Sequence, residues 1–161
     1  MKTKVRRTTV VTVAVVIVVS LVVTVLSYFE ISDDRAYPGS RIDKSLDQIK
    51  GQFRVKLPDC PIEELRYWSA DYIDDVFYLK FTSSDSCLRD FVHQNGLVSA
   101  PALRGGELAL AHDKTATEFG WKFAPDRSYE RYVGTARDLR AQGVVETNAS
   151  QRTIYLYAFE I

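Results

Sequence analysis

The sequence predicts an α+β protein: an N-terminal transmembrane helix, then a mostly antiparallel sheet of five or six strands with one or two helices packed on one face. Three observations predict it. Residues 8–29 (TTVVTVAVVIVVSLVVTVLSYF) carry no charge, short alternating apolar runs recur downstream, and one downstream segment has helical spacing behind a serine cap.

The uncharged run is the first element. As a helix it is roughly 33 Å long, the thickness of a bilayer core. It holds ten valines, and branching at Cβ favours a strand in water. Lipid reverses the preference, because a lone strand there leaves its backbone groups unpaired while a helix pairs them internally. Lys2, Lys4, Arg6 and Arg7 precede the run, and Glu30, Asp33 and Asp34 follow it. That asymmetry places the N-terminus in the cytoplasm and the rest of the chain outside, with Tyr28 and Phe29 as interfacial anchors. The run exceeds the apolar stretch of about 7–15 residues in a secretory signal, and Val25-Leu26-Ser27 is a poor cleavage site, so the reading is an uncleaved signal anchor. The expected organisation is a cytoplasmic tail (1–7), a transmembrane helix (8–29), a stalk with a short amphipathic helix (30–51) and an extracytoplasmic domain (52–161).

Charge narrows the partners. All 21 acidic residues lie at or beyond Glu30, whereas 17 of the 21 basic ones do, so the exported part has a net charge of −4. Nucleic acid is excluded as an expected partner, since it needs a basic excess. The expected partners are the bilayer, through residues 8–29, and an envelope protein or glycan.

Ser40-Arg41-Ile42-Asp43 opens the predicted amphipathic helix, with Ile42, Leu46 and Ile49 on one face and Gly51 at its end. Phe53–Leu57 alternates and stops at Pro58, predicting a strand. Glu64–Ile73 and Val76–Thr82 flank Asp74-Asp75, predicting a long hairpin. Ser83-Ser84-Asp85 caps a helix whose apolar face is Cys87, Leu88, Phe91 and Val92 and which ends at Asn95-Gly96. Residues 96–118 show no sustained period. Phe119, Trp121 and Phe123 alternate as in a strand, Tyr129–Val133 predicts another, and Val144-Val145 with Thr153–Phe159 predicts a closing hairpin.

Few residues point to chemistry. Cys60 and Cys87 are the only cysteines, and outside the cytoplasm such a pair is expected to form a structural disulfide, contributing about 3–3.5 kcal/mol. His93 and His112 are the only histidines, and with the cysteines they show no metal-ligand spacing. No nucleophile elbow, phosphate loop or dinucleotide fingerprint is present. No cofactor, metal or catalytic set is therefore expected.

The candidate binding surface is aromatic: Arg66, Trp68 and Tyr72 share one strand face, and Tyr155 and Tyr157 share another, a composition typical of binding hot spots. The first functional expectation is a membrane-tethered binding module of the envelope. The alternatives are a carboxylate-dependent hydrolase acting through Asp71, Asp74, Asp75 and Glu107, or an envelope spacer.

The basic N-terminus, the valine-rich span, Phe53…Leu57-Pro58, Arg66-Tyr67, Leu79-Lys80-Phe81-Thr82-Ser83, Leu88…Phe91, Trp121 and Thr153-Ile154-Tyr155-Leu156 together resemble small signal-anchored bacterial proteins of actinomycete type. Those proteins have no known activity, so the resemblance implies localisation alone.

Overall fold

In the computed structural model, residues 15–22, 33–41, 43–71, 75–136, 139–146 and 151–160 are described. The chain divides into two units, Met1–Asp33 and Asp34–Ile161. In the first, residues 15–22 form a helix (α1) with exposed side chains. Among the described residues no helix is long and apolar enough to cross a membrane. The tail 1–7 and the remainder of the predicted span 8–29 lie outside the described residues.

The second unit is built on six strands: β1 (Ile62–Asp71), β2 (Asp75–Ser83), β3 (Leu97–Arg104), β4 (Ser128–Ala136), β5 (Leu139–Glu146) and β6 (Arg152–Glu160). Every pairing between these strands is antiparallel, and the spatial order is β1-β2-β6-β5-β4-β3. Both predicted hairpins form, β1 with β2 and β5 with β6. They form because period-2 side-chain direction lets adjacent strands place their apolar residues on common faces of the sheet.

The first face carries Phe77, Leu79 and Phe81 of β2 with Ile154, Leu156 and Ala158 of β6. Helices α2 (Leu46–Gln52) and α3 (Asp85–Gln94) bury Leu46, Ile49, Leu88 and Phe91 against it. Ser84 caps α3 by accepting from the Cys87 amide, and Gly96, at φ 60°, takes the left-handed turn that ends it. Cys60 and Cys87 are bonded, with Cα atoms 5.9 Å apart. The disulfide ties the coil before β1 to the first turn of α3.

The second face is also covered, so the predicted helices on a single face are only half of the architecture. A strap over residues 105–124 contains two 3₁₀ turns and the short helix α4 (Lys114–Glu118). It lays Leu108, Leu110, Ala116, Trp121 and Phe123 on Tyr78, Tyr129 and Val144.

Three further expectations need correction. Helix α2 starts five residues later than the predicted Ser40–Asp43 opening, because the complete capping box is Ser45 with Gln48; Ile42 lies outside the described residues. Residues 53–57 form no strand: Phe53 caps α2, Arg54 has φ 51°, and Phe53 and Val55 are buried without a ladder. Residues 119–123 form no strand either, and Trp121 and Phe123 belong to the strap. The second unit, from Asp34 onward, includes the described part of the segment 34–51. Its residues 35–37 pair along β1, where Tyr67 N donates to Arg35 O at 3.1 Å and Tyr37 N donates to Tyr67 O at 2.7 Å.

Candidate functional site

The second face is where the predicted binding residues gather. Antiparallel register aligns Trp68, Tyr78, Tyr157, Gln142, Val133 and Val98 in one row across all six strands. Register therefore brings Trp68, Tyr155 and Tyr157 to one face of the sheet, where alternation alone groups only the two tyrosines. They are half-buried rather than an open aromatic row. Trp68 packs 5.7 Å from Tyr78 and 5.5 Å from Phe119, ring centre to ring centre. Tyr155 lies 5.1 Å from Trp121 and 5.0 Å from Phe123, and Tyr157 lies 4.9 Å from Tyr78. Arg66 is exposed on edge strand β1 and donates to the Asp34 carbonyl. Tyr72 lies outside the described residues.

Polar atoms peg the strap to this face. The Tyr78 hydroxyl donates to Asp113 Oδ2 at 3.0 Å, while Asp113 Oδ1 caps α4 by accepting from Ala116 N at 2.8 Å. Trp121 Nε1 donates to the Tyr37 hydroxyl at 3.0 Å, and Ala124 N donates to the Tyr129 hydroxyl at 3.0 Å. Burial, reinforced by the Asp113 carboxylate, raises the Tyr78 pKa; burial pushes the Tyr155 hydroxyl up to about 12. Both phenols stay protonated at ordinary pH, and Tyr78 donates its hydroxyl proton to the strap's Asp113.

The four candidate acids do not make a described carboxylate pair. Asp74 and the side chain of Asp71 lie outside the described residues. Asp75 accepts from the Gln52 amide, and Glu107 accepts from the Arg104 backbone N–H at 2.8 Å. His93 is exposed on the last turn of α3, and exposed His112 places Nε2 2.9 Å from Gly106 O. Among the described residues no three His, Cys, Asp or Glu side chains group as metal ligands.

Two arginine environments escaped the sequence reading. On the first face, Arg152 of β6 pairs with Asp85 of α3 and with Glu130 of β4, its Nη2 lying 2.6 Å from Glu130 Oε2. That ion pair is close but poorly aligned, since neither Nη2 nor Nε has a well-directed acceptor. The Tyr132 hydroxyl donates to Glu130 at 2.7 Å. Burial alone would raise the Glu130 pKa, but the Tyr132 and Arg152 contacts outweigh it and hold the carboxyl below its usual range. A carboxyl depressed on folding stabilises the fold above its unfolded pKa, about 4.3, and that contribution is lost as pH falls through the folded value. Glu130→Gln is therefore expected to be less stable than wild type near neutrality, with the gap narrowing below about pH 4. Denaturant melts across that range would refute the coupling if the gap stayed constant.

The second environment is Arg131, on the opposite face of β4 from Glu130. Its Nε is buried without an acceptor. Sequence alone gives no signal for it, because its isolation depends on which strands lie beside β4.

Compared with family models, with curated proteins and with solved structures, the chain matches none.

Proposed function

We propose that this protein is a membrane-anchored interaction module: α1 belongs to a single signal-anchor helix over residues 8–29, and the unit from Asp34 works outside the cytoplasm on an envelope protein or glycan. The observation that carries the reading is the uncharged run of residues 8–29, with Lys2, Lys4, Arg6 and Arg7 before it and Glu30, Asp33 and Asp34 behind it. The Cys60–Cys87 disulfide supports it, because disulfides persist in oxidising compartments. The resemblance to signal-anchored bacterial proteins points the same way. An interaction role is favoured over hydrolysis because Asp75 and Glu107 are each engaged in structural hydrogen bonds.

A reporter enzyme active only outside the cytoplasm, fused at Ile161, is expected to be active; a fusion active only in the cytoplasm would overturn the topology. Cross-linking in native membranes is expected to capture an envelope component. Quantitative recovery of the chain in the soluble fraction would remove the anchor from the proposal.

A further inference from the structure

Arg131 stands on the second face of β4 with Ala100 of β3 opposite it on one side and Val144 of β5 on the other. The side chain is half-buried, and its Nε has neither solvent nor acceptor. Four arginines of this unit face carboxylates: Arg41 with Asp43, Arg89 with Asp85, Arg127 with Glu146, and Arg152 with Asp85 and Glu130. Register shows why Arg131 is left over. Glu146 is diagonal to it across β4 and β5 but is held by Arg127. Glu130 is its chain neighbour but faces the other way, towards Arg152. Arg131 makes no hydrogen bond or ion pair with the described residues. A guanidinium partly withdrawn from water without an anion carries an unrecovered desolvation cost, which an incoming carboxylate would offset.

The second observation is the sheet edge. The β1 edge is sheathed by the unit's own residues 35–37, so this fold already accepts an extended segment there. The other edge is β3, which has β4 on one side and no strand on the other among the described residues. Leu97-Val98-Ser99-Ala100 is uncharged, and Val98 is 53% exposed on the same face as Arg131. Beyond Ala100, Pro101 and a register shift break the edge, so only 97–100 is open to pairing.

We propose that an extended acidic peptide adds alongside residues 97–100 of β3, with an apolar side chain on Val98 and Val133 and a carboxylate reaching across Ala100 to Arg131. This rests on the interaction-module reading and specifies its ligand chemistry. Val98 and Ala100 are two residues apart, so the peptide must present its apolar and acidic side chains at the same i, i+2 spacing. The added strand lies two strand spacings from β4, about 10 Å, a gap that a Glu and an Arg side chain bridge together only over a residue as small as Ala100.

The test uses the full chain in detergent and a blocked, fluorescent peptide of sequence Ser-Thr-Val-Thr-Glu-Thr-Ser, with its Gln counterpart, read by anisotropy. The Glu peptide is expected to bind about tenfold tighter than the Gln peptide, a charged hydrogen bond's worth of discrimination. Arg131→Gln is expected to abolish that preference, and Arg140→Gln, on the exposed part of β5, to leave it intact. The Glu-to-Gln comparison leaves the protein unaltered, so a folding defect in the variant does not decide the result. No binding of the Glu peptide, equal binding of the two, or a preference that survives Arg131→Gln would each overturn the proposal. An envelope partner captured by cross-linking and indifferent to Arg131 would leave the interaction module standing without this ligand.

Discussion

Replacing both cysteines, as Cys60→Ser with Cys87→Ser, is expected to cost about 3.5 kcal/mol, a large share of the roughly 5–15 kcal/mol that holds a domain together. The bond closes a loop with a sequence separation of 27 residues, and that loop contains the whole β1–β2 hairpin. In the unfolded chain the cross-link removes closure entropy that the reduced protein must lose again on folding. Cys87 is buried beneath the first turn of α3, while the Ser83 hydroxyl donates to Pro61 O at 2.8 Å beside it. The reduced protein therefore keeps a hydrogen-bonded anchor at this corner, and the loss should appear as lower stability rather than as a different fold. Denaturant midpoints of the oxidised wild type and the double variant measure it. An unchanged midpoint, or free thiols on protein recovered from the envelope, would sink both the staple and the oxidising compartment.

How much of this was legible in the sequence depends on what alternation encodes. It states which residues share a face, and it does so reliably: Phe77, Leu79 and Phe81 turn together into the first face, and Tyr155 and Tyr157 turn together into the second. It does not state what the backbone pairs with. Residues 53–57 and 119–123 alternate as convincingly as any strand and bury Phe53, Val55, Trp121 and Phe123, yet neither segment joins the ladder. One lies in the turn and coil after α2, and the other leaves α4 through a turn at Phe119-Gly120 into the irregular end of the strap. The helix starts were legible where the chemistry is complete. Ser84 caps α3 as expected, but the Ser40 opening lacks the Gln or Glu that Ser45 finds in Gln48.

The candidate surface was legible to the same depth. Parity grouped Tyr155 with Tyr157, but only register brings Trp68 to the same face, and the strap that covers them comes from 105–124, most of it in a stretch with no periodicity to read. β3 was hidden for a related reason: Pro101 and the register shift after Ala100 interrupt its pattern in mid-strand. Arg131 is the extreme case. Its character comes from Glu146 being taken by Arg127, a fact of strand register and not of local sequence.

The strap also supplies a second large effect, concentrated at one atom. Gly105→Ala is expected to destabilise the protein by about 3 kcal/mol, in the range of an overpacked interior, whereas Gly106→Ala next to it costs under about 1 kcal/mol. A Cβ on Gly105 would lie 2.2 Å from Ala124 O and 2.8 Å from Ala124 C. Those are backbone atoms, so relief requires the chain itself to move. The same backbone is laced to its surroundings: Gly105 N donates to Arg127 O at 3.0 Å, Arg127 N to Ala124 O at 3.1 Å, and Ala124 N to the Tyr129 hydroxyl. Shifting Ala124 drags Phe123 away from Tyr129 and Tyr155, whose ring centres lie 5.5 Å and 5.0 Å from its own. A Cβ on Gly106 would meet Pro125, with its Cβ nearest at 3.5 Å, an ordinary contact. The pair is thus an internal control, with the same chemical change on adjacent residues and opposite steric outcomes. Thermal or denaturant melts of the two variants decide it: equal losses, or a neutral Gly105→Ala, would mean that the strap does not seat on the second face as described.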